Sequence, residues 1–287
     1  MTVLPEFDVH RPTGIAEATE LLGAHGDDAV VYVGGTELFL LFKLGFADYP
    51  HVIDLKGIAE LYGIERRGDD LWIGAGETHR SIERNPLVRE AWPSLAAMER
   101  GVGNLRVRTM GSIGGNLCFG DPHSDPATYL LAAGARLEAR KGDGERREIP
   151  SESFTTGPFE NALADGELLT GVLVPSLAPG ATIVHRKFVL TERPAITVAA
   201  HVRTDGSRLA DVRLAVGSAG NRPSRVTGAE SLLDGLGVDR LESALGEVGD
   251  LAADAADPVE DANGSVEYKR HLVGVLTGRI LREAVAG

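Results

Sequence analysis

The chain has 287 residues, 43% of them apolar and 25% charged, a length and mixture that build one large domain or two modest ones with a full core. Its 29 basic against 42 acidic side chains leave a net charge of −13, which repels nucleic acid and anionic membrane surfaces and argues against either as a main partner. The only cysteine, Cys118, excludes an internal disulfide framework and any thiolate-held metal cluster built from this chain alone.

In chain order, Thr13 is placed to cap a helix whose apolar face is Ile15, Ala18, Leu21 and Leu22, ending at Gly23. Ala29 to Val33 reads as a buried strand running into Gly34-Gly35-Thr36, followed by an apolar stretch from Leu38 to Leu44 and a strand from Val52 to Leu55. Gly63–Arg66 and Leu71–Gly74 form a hairpin around Gly68-Asp69-Asp70. Short helices around Ile82 and over Pro93–Arg100 lead to a glycine-rich stretch from Gly101 to Gly120. A second hairpin pairs Ala135–Arg140 with Arg146–Ile149 across Gly142-Asp143-Gly144, and Leu168–Val174 is a strand closed by Pro175. Ser176–Gly180 marks the boundary between domains over 1–176 and 177–287. Beyond it, Ile183–Val189, Ile196–Arg203 and Leu209–Gly217 predict a three-stranded antiparallel meander. Thr227-x-x-Glu230 and Asp239-x-x-Glu242 have the spacing of reciprocal helix caps, Ala252–Asn263 reads as an acidic solvated loop, and Val266–Val285 is a helix. Mixed strands, then a sheet, then helices give the α+β class with two domains.

Glycine is the anomaly, at 36 residues against the usual share of roughly 7%. The pair in Val33-Gly34-Gly35-Thr36-Glu37-Leu38 directly follows a strand, where it makes either a tight turn or a concave set of N–H donors suited to phosphate, with Thr36 adding a hydroxyl. Gly111-Ser112-Ile113-Gly114-Gly115-Asn116 repeats the theme, and its spacing fits neither a nucleophile elbow, nor a dinucleotide fingerprint, nor a P-loop. Arg106 and Arg108 upstream are either phosphate partners or solvated surface charges. Asp121-Pro122-His123-Ser124-Asp125 reads as a carboxylate acceptor for ligand hydroxyls or as a helix cap, in preference to a metal site. Cys118 reads as a packed residue, His79 as a loop histidine and Lys187 as a solvent-facing strand residue. Two phosphate-friendly glycine segments with a carboxylate behind the second point to a large anionic cofactor held by local amide dipoles.

Taken together, Val33–Leu38, Thr109–Asn116 and Ser124-Asp125, in that order, resemble the FAD-binding medium subunit of molybdenum hydroxylases, the family of the carbon monoxide dehydrogenase flavoprotein and the xanthine dehydrogenase FAD domain. The resemblance extends over nearly the whole chain, through Val52–Leu61, Glu167-Leu168-Leu169, Gly217 with Arg222-Pro223, and Glu267–Arg270. It implies a two-part PCMH-type (vanillyl-alcohol-oxidase-like) FAD-binding domain and a C-terminal domain of a three-stranded antiparallel sheet and helices. It further implies that Val33, Gly34, Gly35, Thr36, Glu37 and Leu38 hold the pyrophosphate, joined by Ser112, Gly114, Gly115 and Asn116, and that Asp125 takes ribityl or ribose hydroxyls. By the same resemblance Val102 and Gly103 line the flavin, Leu168 and Leu169 lie beside it, Lys187 stands near the isoalloxazine and Ile196 faces the ring. The chain departs from many bacterial relatives at Thr36-Glu37, where Glu37 is closer to the xanthine dehydrogenase form, at Phe119, where some carry a hydroxyl, and at Ile196, where some carry an aromatic.

The function so implied is electron transfer: FAD receives electrons from [2Fe-2S] clusters in a small partner subunit, itself fed by a large molybdenum-binding subunit, and passes them to an external acceptor. The expected assembly is a dimer of heterotrimers. A stand-alone flavin-dependent reductase or oxidase of the same fold, and a scaffold that has lost its cofactor, are the alternatives. Two absences bear on location. No apolar run nears the ~18 residues of a membrane span, and Met1–His10 lacks the order of a secretion signal, so the expected address is the cytoplasm.

Overall fold

A computed structural model describes residues 4–142, 144–190 and 193–286, and these fold as three larger sheets and a two-stranded ribbon, with helices packed between and around them. The first layer holds β1 (Asp8–His10), α1 (Ile15–His25), β2 (Ala29–Tyr32), α2 (Leu38–Leu44) and β3 (His51–Asp54). Its strands are parallel in the order β1-β3-β2. Ile15 and Ala18 of α1 pack on Ile53, Leu55, Ile58 and Leu61. The helix does not stop at Gly23 but continues to His25, and Gly26, at φ +51°, ends it. Thr13 does not cap it either: Gly14 holds that position, while the Thr13 N–H and hydroxyl both donate to Glu17.

The second layer is an antiparallel sheet of order β4-β5-β10-β6-β7, made of β4 (Ile64–Arg67), β5 (Asp70–Gly74), β6 (Arg136–Lys141), β7 (Glu145–Pro150) and a central β10 (Leu168–Val174). Both anticipated hairpins are present as its flanks, with Asp143 of the second turn outside the described residues. Between the hairpins run α3 (His79–Arg84), α4 (Pro86–Ala91), α5 (Pro93–Gly101), α6 (Leu105–Met110), α7 (Ile113–Phe119) and α8 (Asp125–Ala133). After β7 come a short α9 (Ser151–Phe154) and the small β8 (Thr155–Gly157) and β9 (Glu160–Asn161) ribbon. Every residue of α8 is buried, because the second sheet lies on one side of it and the C-terminal sheet on the other.

Past the linker at Ser176–Gly180, β11 (Ala181–Val189), β12 (Pro194–Asp205) and β13 (Arg208–Gly217) form the expected meander. A short fourth strand, β14 (Ser224–Arg225), extends it by pairing with β13 at Ala215 and Val216, so the sheet has four strands rather than three. One face meets α8, where the Thr128 and Thr197 hydroxyls lie 3.1 Å apart and Thr197 is 3.1 Å from Ser218. The other face carries Ile196, Val198, Ala200 and Val202 against α10 (Thr227–Leu233), α11 (Leu241–Ala256) and α12 (Val266–Ala286).

Three local expectations are corrected here. Glu230 does not cap α10; its carboxylate accepts both Nε and Nη2 of Arg225 and the Leu214 N–H, a bidentate ion pair with a backbone bond that outweighs a cap. Glu242 pairs with Arg282 of α12, and the Asp239 segment is a 3₁₀ turn. The acidic stretch from Ala252 is helical through Ala256, because Val248, Ala252 and Ala256 form a buried i, i+4 stripe against α12.

Candidate flavin site

The two glycine segments meet. A Cβ on Gly34 would lie 2.0 Å from the Met110 carbonyl oxygen and 2.9 Å from the Gly111 Cα, so the first turn touches the second segment backbone to backbone. Gly35 has φ +65°, and α2 begins three residues later. Gly111 approaches the Thr36 hydroxyl, and its carbonyl accepts the His79 N–H. Ile113 and Gly114 donate to the carbonyls of Glu77 and Ala75, which fastens the second segment to the end of β5; a Cβ on Gly114 would sit 2.6 Å from that Ala75 oxygen.

Gly114 and Gly115 do not lie in a loop. Ser112 is the N-cap of α7, accepting the Gly115 N–H at 3.1 Å, and both glycines belong to the first turn of that helix. Asn116 accepts the Ser124 hydroxyl at 2.5 Å, and Ser124 caps α8 by accepting the Ala127 N–H. Two helix starts, α2 and α7, therefore adjoin one close contact. Helix starts leave amide donors without intrahelical acceptors and carry partial positive charge. At α7 the first donors are taken by Glu77, Ala75 and Ser112, so in a chain of net charge −13 the turn before α2 is the better placed of the two for an anion.

Behind this cradle lies a buried charged group. Asp125 is 4% exposed; its Oδ2 accepts Lys187 Nζ at 2.5 Å, and Lys187 also donates to the Gly101 carbonyl at 2.7 Å. Burial raises the Asp125 pKa, and the Lys187 ammonium opposes that rise. Its other oxygen, Oδ1, is buried without a hydrogen-bond partner, as is Nε2 of His185 at 3.6 Å. Burial, with Lys187 and Arg186 nearby, pushes His185 down to about 3, so it is neutral at ordinary pH. Lys187 thus faces inward, against the reading of it as a solvent residue.

Val102 is core, and the carbonyls of Val102 and Gly103 accept Arg108, which also lies 3.7 Å from Glu83; Arg108 is committed there rather than to an anion. Leu168 packs in the first-layer core and Leu169 in the second, so the start of β10 joins the two layers. Ile196 is fully buried on the face of β12 turned to α11 and α12, whereas Lys187, paired in register with Thr197, is on the opposite face. Ile196 therefore does not look toward the Lys187–Asp125 group. Phe119 stacks edge-on against Phe159, and burial pushes the Cys118 thiol up to about 12, out of the range of a reactive thiolate.

Two features escaped the sequence reading. Arg193 reaches from the C-terminal domain to Glu37 of the first turn at 3.3 Å and to Asp121 after α7, bridging three parts of the molecule. His79 is no loop residue: it begins α3, is 1% exposed and lies 2.7 Å from the fully buried Glu99. The signal was present in Glu99, which stands on the buried face of α5 with Leu95, Ala96 and Met98.

Fold and site together define a two-domain protein in which two glycine segments, two helix starts and a buried Lys187–Asp125 pair come together where its layers meet. Residues 5–177 match the model of the FAD binding domain in molybdopterin dehydrogenase, and residues 191–284 that of the CO dehydrogenase flavoprotein C-terminal domain. The chain is similar to the carbon monoxide dehydrogenase medium chain of Hydrogenophaga pseudoflava, 30% identical with 98% of each chain covered, and to the nicotine 6-hydroxylase medium subunit of Paenarthrobacter nicotinovorans, 32% identical with 99% of each covered. It superposes on a chain of the solved Hydrogenophaga pseudoflava carbon monoxide dehydrogenase that lacks the Mo-pyranopterin moiety, with a TM-score of 0.95 over 99% of both chains at 30% identity. The chain belongs to the FAD-binding flavoprotein family of the molybdopterin dehydrogenases. FAD is its cofactor, and it is the flavoprotein component of an oxidoreductase.

Proposed function

We propose that this chain carries electrons within a heteromeric molybdenum hydroxylase, between [2Fe-2S] clusters of a small partner subunit and an external acceptor, with the molybdenum centre in a large partner subunit. FAD, when bound, accepts electrons singly and releases them in pairs. The residues fit that cofactor on one observation above all: the Gly34–Met110 approach brings two helix starts together beside a buried carboxylate that still has an unpartnered oxygen. In this reading the Val33–Leu38 turn holds the diphosphate by its backbone amides, Ser112–Asn116, whose own amides from 113 to 116 are already bonded within the protein, line the cradle beside it, and Asp125 takes a cofactor hydroxyl. Val102 and Gly103, which follow α5, and Leu168 and Leu169, which open β10, lie beside the flavin in this reading. Lys187 sets the charge of the site through its pair with Asp125.

The lone Cys118 cannot supply the thiolates of a [2Fe-2S] cluster, which supports iron–sulfur centres in another chain. Both relatives named above are, by name, a medium chain or medium subunit, which favours a complex component over a stand-alone reductase. A dimer of heterotrimers in the cytoplasm is the assembly this reading carries; no helix among the described residues is long and apolar enough to cross a membrane. Isolation of the native complex tests it. One FAD per copy of this chain is expected, together with a cysteine-rich small chain and a large molybdenum-binding chain in equal numbers and a native mass of two sets. A yellow protein that purifies alone and turns over substrate unaided would contradict it.

A further inference from the structure

We propose that His10, His25 and His51 form a binding site for one divalent transition-metal cation of the zinc class, at the end of the first layer away from the flavin cradle. The three come from three elements: His10 ends β1, His25 closes α1 and His51 opens β3. Their meeting follows from strand parity. Asp8 stands beside His51 in the parallel register, so Asp8, His10, His51 and Ile53 project to one face, and α1 covers that face by packing Ile15 and Ala18 on Ile53. The last turn of α1 then lays His25 over His51, with ring centroids 3.7 Å apart, and His10 lies 5.1 and 5.2 Å from the two.

One ring nitrogen from each histidine lies within 4.8 Å of the other two, and all three side chains are half-buried. Among the described residues no other trio of His, Cys, Asp or Glu converges so closely. The Asp121–Asp125 segment, for example, is spent on internal pairs: Asp121 on His123 and Arg193, Asp125 on Lys187. Zinc with Zn–N bonds of about 2.0–2.1 Å separates tetrahedral ligand nitrogens by roughly 3.4 Å, so the stacked His25 and His51 rings turn apart to aim their nitrogens at one ion. At present His10 Nε2 and His51 Nδ1 are 3.1 Å apart, already at such a spacing. Three imidazoles suit zinc, nickel or copper over the oxygen-seeking magnesium and calcium, and leave a fourth position for water.

The site is separate from the cradle. His51 pairs with Ala29 at the start of β2, whereas the Gly34-Gly35 turn leaves the far end of that strand. A cation there would clamp β1, α1 and β3 together, a structural role for the first layer.

Calorimetric titration of the untagged, chelator-treated full chain with Zn²⁺, and visible spectra with Co²⁺, test the proposal. One equivalent of Zn²⁺ is expected, with a raised melting temperature, and Co²⁺ is expected to give ligand-field bands. His25→Ala and His51→Ala should each weaken Zn²⁺ binding by about 100-fold or more, no less than loss of an outer-shell partner costs a metal site. Absence of saturable one-equivalent binding would overturn the proposal, as would unchanged affinity in both variants. Should His51→Ala unfold, judged by circular dichroism, His25→Gln at the helix end decides: unchanged Zn²⁺ affinity there overturns the proposal too.

Discussion

At the scale of single residues, glycines that look alike in the sequence do different work. Gly34 is fixed by a carbonyl oxygen where its Cβ would be, whereas Gly23 in α1 has nothing within 4 Å of that point. Gly34→Ala is expected to force the two segments apart at about 1–3 kcal/mol of overpacking and to release FAD. Gly23→Ala should instead raise stability by about 0.5–1 kcal/mol through helix propensity and leave flavin content unchanged; urea titration with flavin absorbance measures both. The Lys187–Asp125 pair makes a second residue-scale prediction. Removing the cation takes positive charge away from beside the cradle, so Lys187→Met should lower the midpoint potential of bound flavin by about 30 mV, the two-electron equivalent of about 1.4 kcal/mol. Asp125→Asn should raise it. Spectroelectrochemistry giving an unchanged potential in both would refute the placement of Lys187 near the flavin.

Among the elements, α12 holds the C-terminal domain together by burying Val273, Ile280 and Leu281 against the sheet and α11. Leu281→Ala is expected to cost about 3 kcal/mol, since it opens a cavity in a fully buried stripe; a denaturant midpoint that does not move would contradict that packing. This helix and the longer strands were legible in the sequence because hydrophobic period and turn residues agree locally, as in β10, whose bounds Leu168–Val174 match the sequence expectation. The elements that were misread are those decided by distant partners. Thr227-x-x-Glu230 has the spacing of a cap, but Arg225 and the Leu214 N–H hold Glu230. The acidic side chains of Asp250 and Asp254 disguised the buried stripe of alanines between them. At the site, the glycine segments were legible because backbone chemistry is local. The pairing of Lys187 with Asp125, 62 positions apart, and the reach of Arg193 to Glu37, 156 positions away, depend on how domains dock.

Across the whole molecule, the C-terminal sheet lies between α8 and its own helices, which buries His185 and His201 along the face that meets the FAD-binding layers. His185 has a folded pKa of about 3, below its ordinary 6.5, so its contribution to stability is full above pH 6.5 and is lost as pH falls, because only the unfolded chain takes up the proton. Asp125, whose pKa is raised, acts with the opposite sign, the folded state taking its proton first. Between pH 7 and pH 5 the wild-type protein should lose about 2 kcal/mol more than His185→Gln, as urea midpoints will show; parallel curves would mean that the docking face is wet.

The proposed function depends above all on the meeting of the first turn with α7 being a flavin dinucleotide cradle. The direct measurement is titration of the full chain with FAD, followed by the loss of free flavin fluorescence. Saturation at one FAD per chain, abolished by Gly34→Ala and retained in Gly23→Ala, is the predicted result. A chain that leaves added FAD free, or that binds it equally well with Gly34 replaced, would contradict it.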